Sequence, residues 1–171
     1  AMANQSGAKE NKAGRQAAVT LSFLAEPGDM NVMGKVHGGV VMKWIDQAAY
    51  VCAVGWSGLP CVTVYVGGIR FYRPILIGSL VEVRARLIYT HRTSMHFAVD
   101  VSAGDPKERI FTKTTHCVTV FVALDEQGRP AQVPKWVPRN DEEAALERYA
   151  LRLVELRRGI EEEMRPFILD T

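Results

Sequence analysis

Between Val40 and Cys52 the chain carries apolar and small residues at helical spacing and leaves almost no polar face. Val40, Val41, Trp44, Ile45, Ala48, Ala49, Val51 and Cys52 crowd most of the circumference. A helix at a domain surface shows one apolar stripe, whereas a helix apolar on nearly all sides has to be covered on nearly all sides. The chain therefore needs a layer broad enough to wrap a helix, and the residues downstream supply it. Beyond Pro60 the period changes to two. Residues 61–72 are rich in β-branched and aromatic side chains, with Gly67-Gly68 marking a bulge or a close approach. Val81, Val83, Ala85 and Leu87 alternate with Glu82, Arg84 and Arg86; Met95, Phe97, Val99 and Val101 repeat the pattern; 110–122 reads as a last long strand.

A further strand is expected over 18–24, ended by the turn-forming Glu26-Pro27-Gly28-Asp29, and a glycine-punctuated loop over 31–39 leads into the helix, which should end near Gly55. The order is strand, helix, then four strands in succession, and strands joined by short turns make an antiparallel sheet. The expected class is α+β, with one long central helix wrapped by an antiparallel sheet, the hotdog arrangement, plus a C-terminal helix. The boundaries read as a disordered tail over 1–15, a hotdog domain over 16–124, a linker over 125–139 and the C-terminal helix over 140–166. That helix has Asn140 as N-cap and Glu143 to close a capping box. Leu146, Tyr149, Leu153, Leu156 and Ile160 form its narrow apolar seam, and Pro166 is expected to stop it. The seam implies docking against a neighbouring subunit or the chain's own domain, because such a helix is marginal alone.

At 171 residues the chain is long enough for one well-filled core, and a net charge of +2 gives no reason to expect a nucleic-acid or membrane partner. No apolar run approaches the roughly 20 residues that span a bilayer. The polar N-terminus lacks the apolar core of a signal peptide, and Cys52, Cys61 and Cys117 are odd in number and scattered. Free buried thiols and a cytoplasmic location are the expectation.

The chemistry concentrates in Asn31-Val-Met-Gly34-Lys-Val-His37-Gly38-Gly39 and in Asp46 on the helix that follows. Gly38 and Gly39 stand where a loop enters a helix, so their N–H groups are free at the positive end of the helix dipole and suit a developing oxyanion. Asp46 lies about two turns along an otherwise apolar helix, where an unpaired carboxylate is costly. It is either a base or nucleophile, or a structural Asp that bonds nearby backbone or reaches solvent. His91, His96 and His116 show no ligand spacing, so no metal site is expected. No G-x-S-x-G and no phosphate loop occurs. Trp44 and Tyr50 read as core.

Asn31, Gly34, His37, Gly38, Gly39 and Asp46 match the N-x-x-G-x-x-H-G-G pattern with downstream Asp, and the segment resembles the hotdog-fold acyl-CoA thioesterases in both their acyl-CoA hydrolase and phenylacetic-acid-type branches. Phe71-Tyr72-Arg73-Pro74 followed by Gly78 is similar to the family's aromatic-x-x-Pro…Gly signature. Thr90-His91-Arg92-Thr93-Ser94 resembles its CoA-approaching loop, with His91 where the family has glycine. The likeness covers about 19–122. It implies hydrolysis of an acyl-CoA to free acid and CoA, with no cofactor because CoA is part of the substrate. Gly38 or Gly39 would hold the thioester oxygen, Asn31 and His37 would orient the thioester or water, and Asp46 would act as general base or nucleophile. Thr63 on the next strand would position water or simply pack. Arg70, Arg73, Arg92, Thr93 and Ser94 would meet CoA, its phosphates suiting guanidinium groups. The family builds its site at a homodimer interface, with Asn31 of one chain facing Asp46 of the other, and often forms tetramers or hexamers. The alternative is a non-catalytic acyl-CoA-binding hotdog module; a hotdog dehydratase or hydratase pairs its His and acid differently. Acyl-chain length is not legible.

Overall fold

The computed structural model describes residues 15–168, so the tail expected over 1–15 falls, apart from Arg15, outside the described residues. The elements run β1 (Ala18–Leu24), α1 (Gly38–Ser57), β2 (Cys61–Phe71), β3 (Leu80–His91), β4 (Ser94–Gly104), β5 (Thr112–Ala123) and α2 (Asp141–Ile168), with a 3₁₀ turn at Pro27–Asp29. All strand pairings are antiparallel, in the order β1-β3-β4-β5-β2. The period-two alternation now has a physical face. Val83, Ala85, Leu87, Phe97, Val99 and Phe121 turn inward and pack against Val41, Trp44, Ile45, Ala48, Ala49 and Cys52 of α1. Paired alanines on the helix let it lie close to the strands, and Phe97 meets Phe121 edge-on beneath it at 5.9 Å between ring centroids.

β2 is not the neighbour of β3. Residues 72–79 carry the chain from β2 back to the other side of the sheet, so β2 pairs only with β5 and forms one edge. The bulge expected at Gly67-Gly68 is present as a register shift between Gly67 and Arg70, and a second shift between Thr63 and Tyr65 had no glycine to announce it. α1 ends at Ser57, two residues past Gly55, with Gly58 as its C-cap. Gly58 takes the left-handed conformation (φ 68°) and its N–H bonds the Val54 carbonyl, while Cys52, Ala53 and Ser57 pack on either side of Gly55 and hold the helix through it.

The sheet covers only one side of α1. Met42, Lys43, Asp46, Gln47, Tyr50 and Val51 form an exposed face, which corrects the expectation of a helix covered nearly all round and of Tyr50 as core. A five-stranded sheet curves past one half of a helix; covering the other half takes a second layer.

α2 lies on the opposite face of the sheet. Ala150, Leu146 and Tyr149 pack on Ile88 and Ala98, and Glu142 pairs with Arg86 at 3.3 Å. Asn140 caps the helix by accepting the Glu143 N–H at 2.8 Å, but the returning Glu143 carboxylate takes the N–H of Arg139 instead of Asn140. Pro166 sits in the last turn and does not stop the helix before Ile168. The segment 125–139 has no regular element yet is tied down: Val133 and Trp136 are buried, Trp56 Nε1 donates to the Pro134 carbonyl, and the Val133 N–H donates to the Arg92 carbonyl. Among the described residues no helix is long and apolar enough to cross a membrane.

Candidate active site

The loop before α1 is built by Asn31. Its side-chain oxygen accepts the N–H groups of Met33 (2.9 Å) and Lys35 (3.1 Å), and its backbone N–H donates to the Lys35 carbonyl at 2.7 Å. Gly34, at φ 76°, makes that tight turn without a side-chain clash. With the oxygen occupied, the amide NH₂ is what Asn31 can still offer. His37 is the N-cap of α1 and its Nδ1 accepts the Gly39 N–H at 3.0 Å. An accepting Nδ1 leaves the ring proton on Nε2. The two glycines, alike in sequence, are therefore unlike in structure: the Gly39 N–H is taken, whereas the Gly38 N–H has no acceptor among the described residues. Asn31 and Gly38, with Phe71, Tyr72, Arg73 and Ile75, line one cleft of about 430 Å³.

Asp46 stands on the open face of α1 and not in a buried setting. Its Oδ1 accepts the Thr63 hydroxyl at 2.5 Å. That hydroxyl fixes one carboxylate oxygen and leaves the other free to face outward. Below the pair a second cleft, about 300 Å³, runs between α1 and β2; Met42, Ile45, Val66 and Ile69 make it largely apolar, and Gly39, Lys43, Asp46 and Thr119 complete it. Of the candidate residues, Asp46 and Thr63 are brought together, and so are Asn31, His37 and Gly38, but as two separate groups. One is rich in N–H donors and the other is a carboxylate.

The residues assigned to CoA divide in the same way. Register places Phe71 opposite Thr115, whereas Val62 pairs with Val122, which pairs with Ser94. Arg70 near the far end of β2, and Arg73 just beyond it, lie roughly 20 Å or more along the sheet from the β3–β4 hairpin. That hairpin holds Arg92, Thr93 and Ser94, with Arg92 in the left-handed region (φ 46°) and the Ser94 hydroxyl donating to the His91 carbonyl at 3.1 Å. Arg70 stacks over Tyr72, 5.3 Å from the ring centre.

Electrostatic work elsewhere is structural. Burial alone would raise the Asp100 carboxyl, but hydrogen bonds from His116 (2.8 Å) and Lys113 (3.0 Å), with their charges, bring it down to about 2. The other ring nitrogen of His116 meets the Tyr149 hydroxyl at 2.9 Å, tying α2 to the sheet. The three cysteines are free and buried as expected, and burial pushes the thiols of Cys52 and Cys117 up to about 12, which leaves them inert. Sequence reasoning passed over Thr119: one hydroxyl inside an alternating strand looks like any other β-branched residue, and only its place in the cleft sets it apart.

A long helix packed on a five-stranded antiparallel sheet is the hotdog arrangement, and comparison with known proteins agrees. The model of the thioesterase superfamily matches residues 33–110. The acyl-CoA thioester hydrolase YciA of Salmonella typhimurium is 31% identical over 123 residues, covering 70% of this chain and 92% of that protein. An acyl-CoA hydrolase from Staphylococcus aureus, solved in complex with butyryl coenzyme A, coenzyme A and coenzyme A disulfide, superposes with a TM-score of 0.81 at 27% identity, over 89% of this chain and 93% of that one. A hexameric thioesterase from Yersinia pestis gives a TM-score of 0.63 at 30% identity over 67% and 93%. This chain belongs to the thioesterase superfamily, among the hotdog-fold acyl-CoA thioester hydrolases.

Proposed function

We propose that this protein hydrolyses acyl-CoA thioesters at a site shared by two copies of the chain. One observation carries the proposal. Asn31 and Gly38, which offer free N–H donors, line one cleft of the chain, and the carboxylate of Asp46 lines another. β2 is an edge strand of eleven residues with Val62, Val64 and Val66 exposed, and such an edge is a template for pairing. Antiparallel pairing of β2 with its own copy about a two-fold axis reverses one chain against the other and so favours meeting of opposite ends.

In this reading one chain supplies the electrophilic half. The thioester oxygen accepts the free Gly38 N–H at the head of a twenty-residue helix, with the Asn31 amide and the His37 Nε2–H as further donors. The second chain supplies Asp46, held by Thr63. Asp46 takes a proton from water as it adds to the carbonyl carbon, or attacks that carbon itself to give an anhydride that water then opens. Either way the C–S bond breaks, the acid is released and CoA leaves as the thiol. The 300 Å³ cleft beneath Asp46 takes the acyl chain. Arg92, Thr93 and Ser94, at the same end of β2 as Thr63, are the better placed of the CoA candidates for that chain's Asp46. Arg70 and Arg73 then serve the site to which their own Asn31 belongs. The hexamer described for the Yersinia pestis protein supports assembly beyond the dimer.

Thiol release from a panel of acyl-CoAs tests this. The wild type should hydrolyse at least one ester, and Asp46→Ala should lose about a hundredfold or more in kcat while unfolding at the same temperature, since Asp46 is exposed in the chain. Full activity in Asp46→Ala would sink the assigned role of Asp46. Tight binding of CoA esters with no thiol release by the wild type would establish the non-catalytic module instead.

A further inference from the structure

Thr119 lines the cleft beneath Asp46 and carries a buried hydroxyl. It is 0% exposed, on the inner face of β5, opposite Val66 of β2 and Phe97 of β4. Its Oγ1 is buried and makes no hydrogen bond among the described residues. The neighbouring buried threonines of the same strand differ in this respect: the Thr114 hydroxyl reaches the Val101 carbonyl at 3.3 Å, and Thr115 lies 3.5 Å from Thr114. Valine has the same shape and the same preference for a strand, so neither packing nor sheet formation calls for the hydroxyl. A buried polar atom without a partner is costly and marks a place where a partner is to be expected.

The cleft beneath Asp46 is that place. Its floor and walls are Met42, Ile45, Val66 and Ile69, all apolar, and Thr119 is the one polar side chain in the lining besides Lys43 and Asp46. Thr63 stands opposite Phe121, and Val66 stands opposite Thr119. Thr119 is therefore two strand residues, about 7 Å, from the level of the Asp46–Thr63 pair. At that distance an acyl chain lying in the cleft would pass Thr119 a few carbons beyond the thioester carbonyl.

We infer that Thr119 is a specificity residue that hydrogen-bonds an oxygen carried on the acyl chain, and that the preferred substrates are short hydroxyacyl- or oxoacyl-CoA esters. The inference rests on the hydrolase reading above and narrows its substrate class. A purely apolar pocket discriminates weakly against an added hydroxyl, whereas a pocket with a buried hydrogen-bonding group rejects the analogue that leaves that group unpaired. The cleft volume of about 300 Å³ also suits a short chain.

The experiment compares kcat/KM for butyryl-CoA with β-hydroxybutyryl-CoA and acetoacetyl-CoA in the wild type, Thr119→Val and Thr119→Ser. The wild type should favour an oxygenated ester by about tenfold or more. Thr119→Val should bring the ratio near one by lowering kcat/KM for the oxygenated esters about tenfold, and Thr119→Ser should keep the preference. A wild-type preference for butyryl-CoA overturns the inference even if the valine variant does not fold, and so does an equal ratio in wild type and Thr119→Val, the result expected of a hydroxyl that only holds a water. If the oxygenated preference is absent while butyryl-CoA is hydrolysed, this inference fails and the hydrolase reading stands. If no ester is hydrolysed, both fail.

Discussion

His96 carries its ring into the space between the sheet and α2, where only 5% of the residue is exposed. Burial pushes its pKa down to about 4, with the charges of Arg157 on α2 and His91 on β3 acting in the same direction. The unfolded chain takes up this proton near 6.5, the folded chain only near 4. Stability is therefore complete above pH 6.5, declines as pH falls toward 4, and stops responding to this group below that. The decline amounts to about 3 kcal/mol. Urea unfolding at pH 7.5 and pH 4.5 should show it, and His96→Phe should flatten the response across that window. Nothing in the sequence separated His96 from His91 or His116, because burial on the outer face depends on where α2 docks. Asp46 is the reverse case. Its spacing from His37 marked it at once, yet its setting was misread, since an exposed face of α1 and a covered one carry similar side chains here.

The limits of α1 and the place of β2 show what a single element reveals. The start of α1 was legible because the glycine-punctuated loop over 31–39 gives way to helical apolar spacing at Val40; its exact end was not, because Gly55 and Gly58 look alike and only tertiary packing chooses between them. Gly58→Ala should cost about 1 kcal/mol by forcing a side chain into the left-handed C-cap, a drop of a few degrees in Tm by calorimetry. Gly55→Ala should be neutral or slightly stabilising in the same measurement, since it lies in a regular helix with open space at its Cβ. For the strands, alternation marked the inward faces of β3 and β4 residue by residue, and left β5 as a strand without an assigned face. It was silent on which strand neighbours which, and β2 pairs with β5 across some fifty residues of chain. The site inherits that blindness: Thr119 enters the cleft only because β5 lies beside β2.

The whole molecule presents apolar surface that one chain does not cover. The valines of β2 share one edge with the open face of α1. α2, anchored by Tyr149 on β5, reaches Tyr65 of that same edge through Arg157 and continues with Ile160, Met164 and Phe167 exposed. A charge on the edge should oppose pairing, so Val64→Lys is expected to shift the protein to smaller species in sedimentation and to abolish hydrolysis while the far-ultraviolet spectrum stays that of a folded chain. Activity of monomers equal to wild type would refute a shared site. The division of the reacting groups between two clefts also has a genetic reading. An Asn31→Ala chain keeps a sound Asp46, and an Asp46→Ala chain keeps a sound Asn31, so two inactive proteins unfolded and reassembled together should complement each other. Random pairing gives half mixed dimers, each with one intact site of two, and about a quarter of wild-type activity should return. In a cell holding two alleles, a lesion in either half would then be partly masked by a lesion in the other.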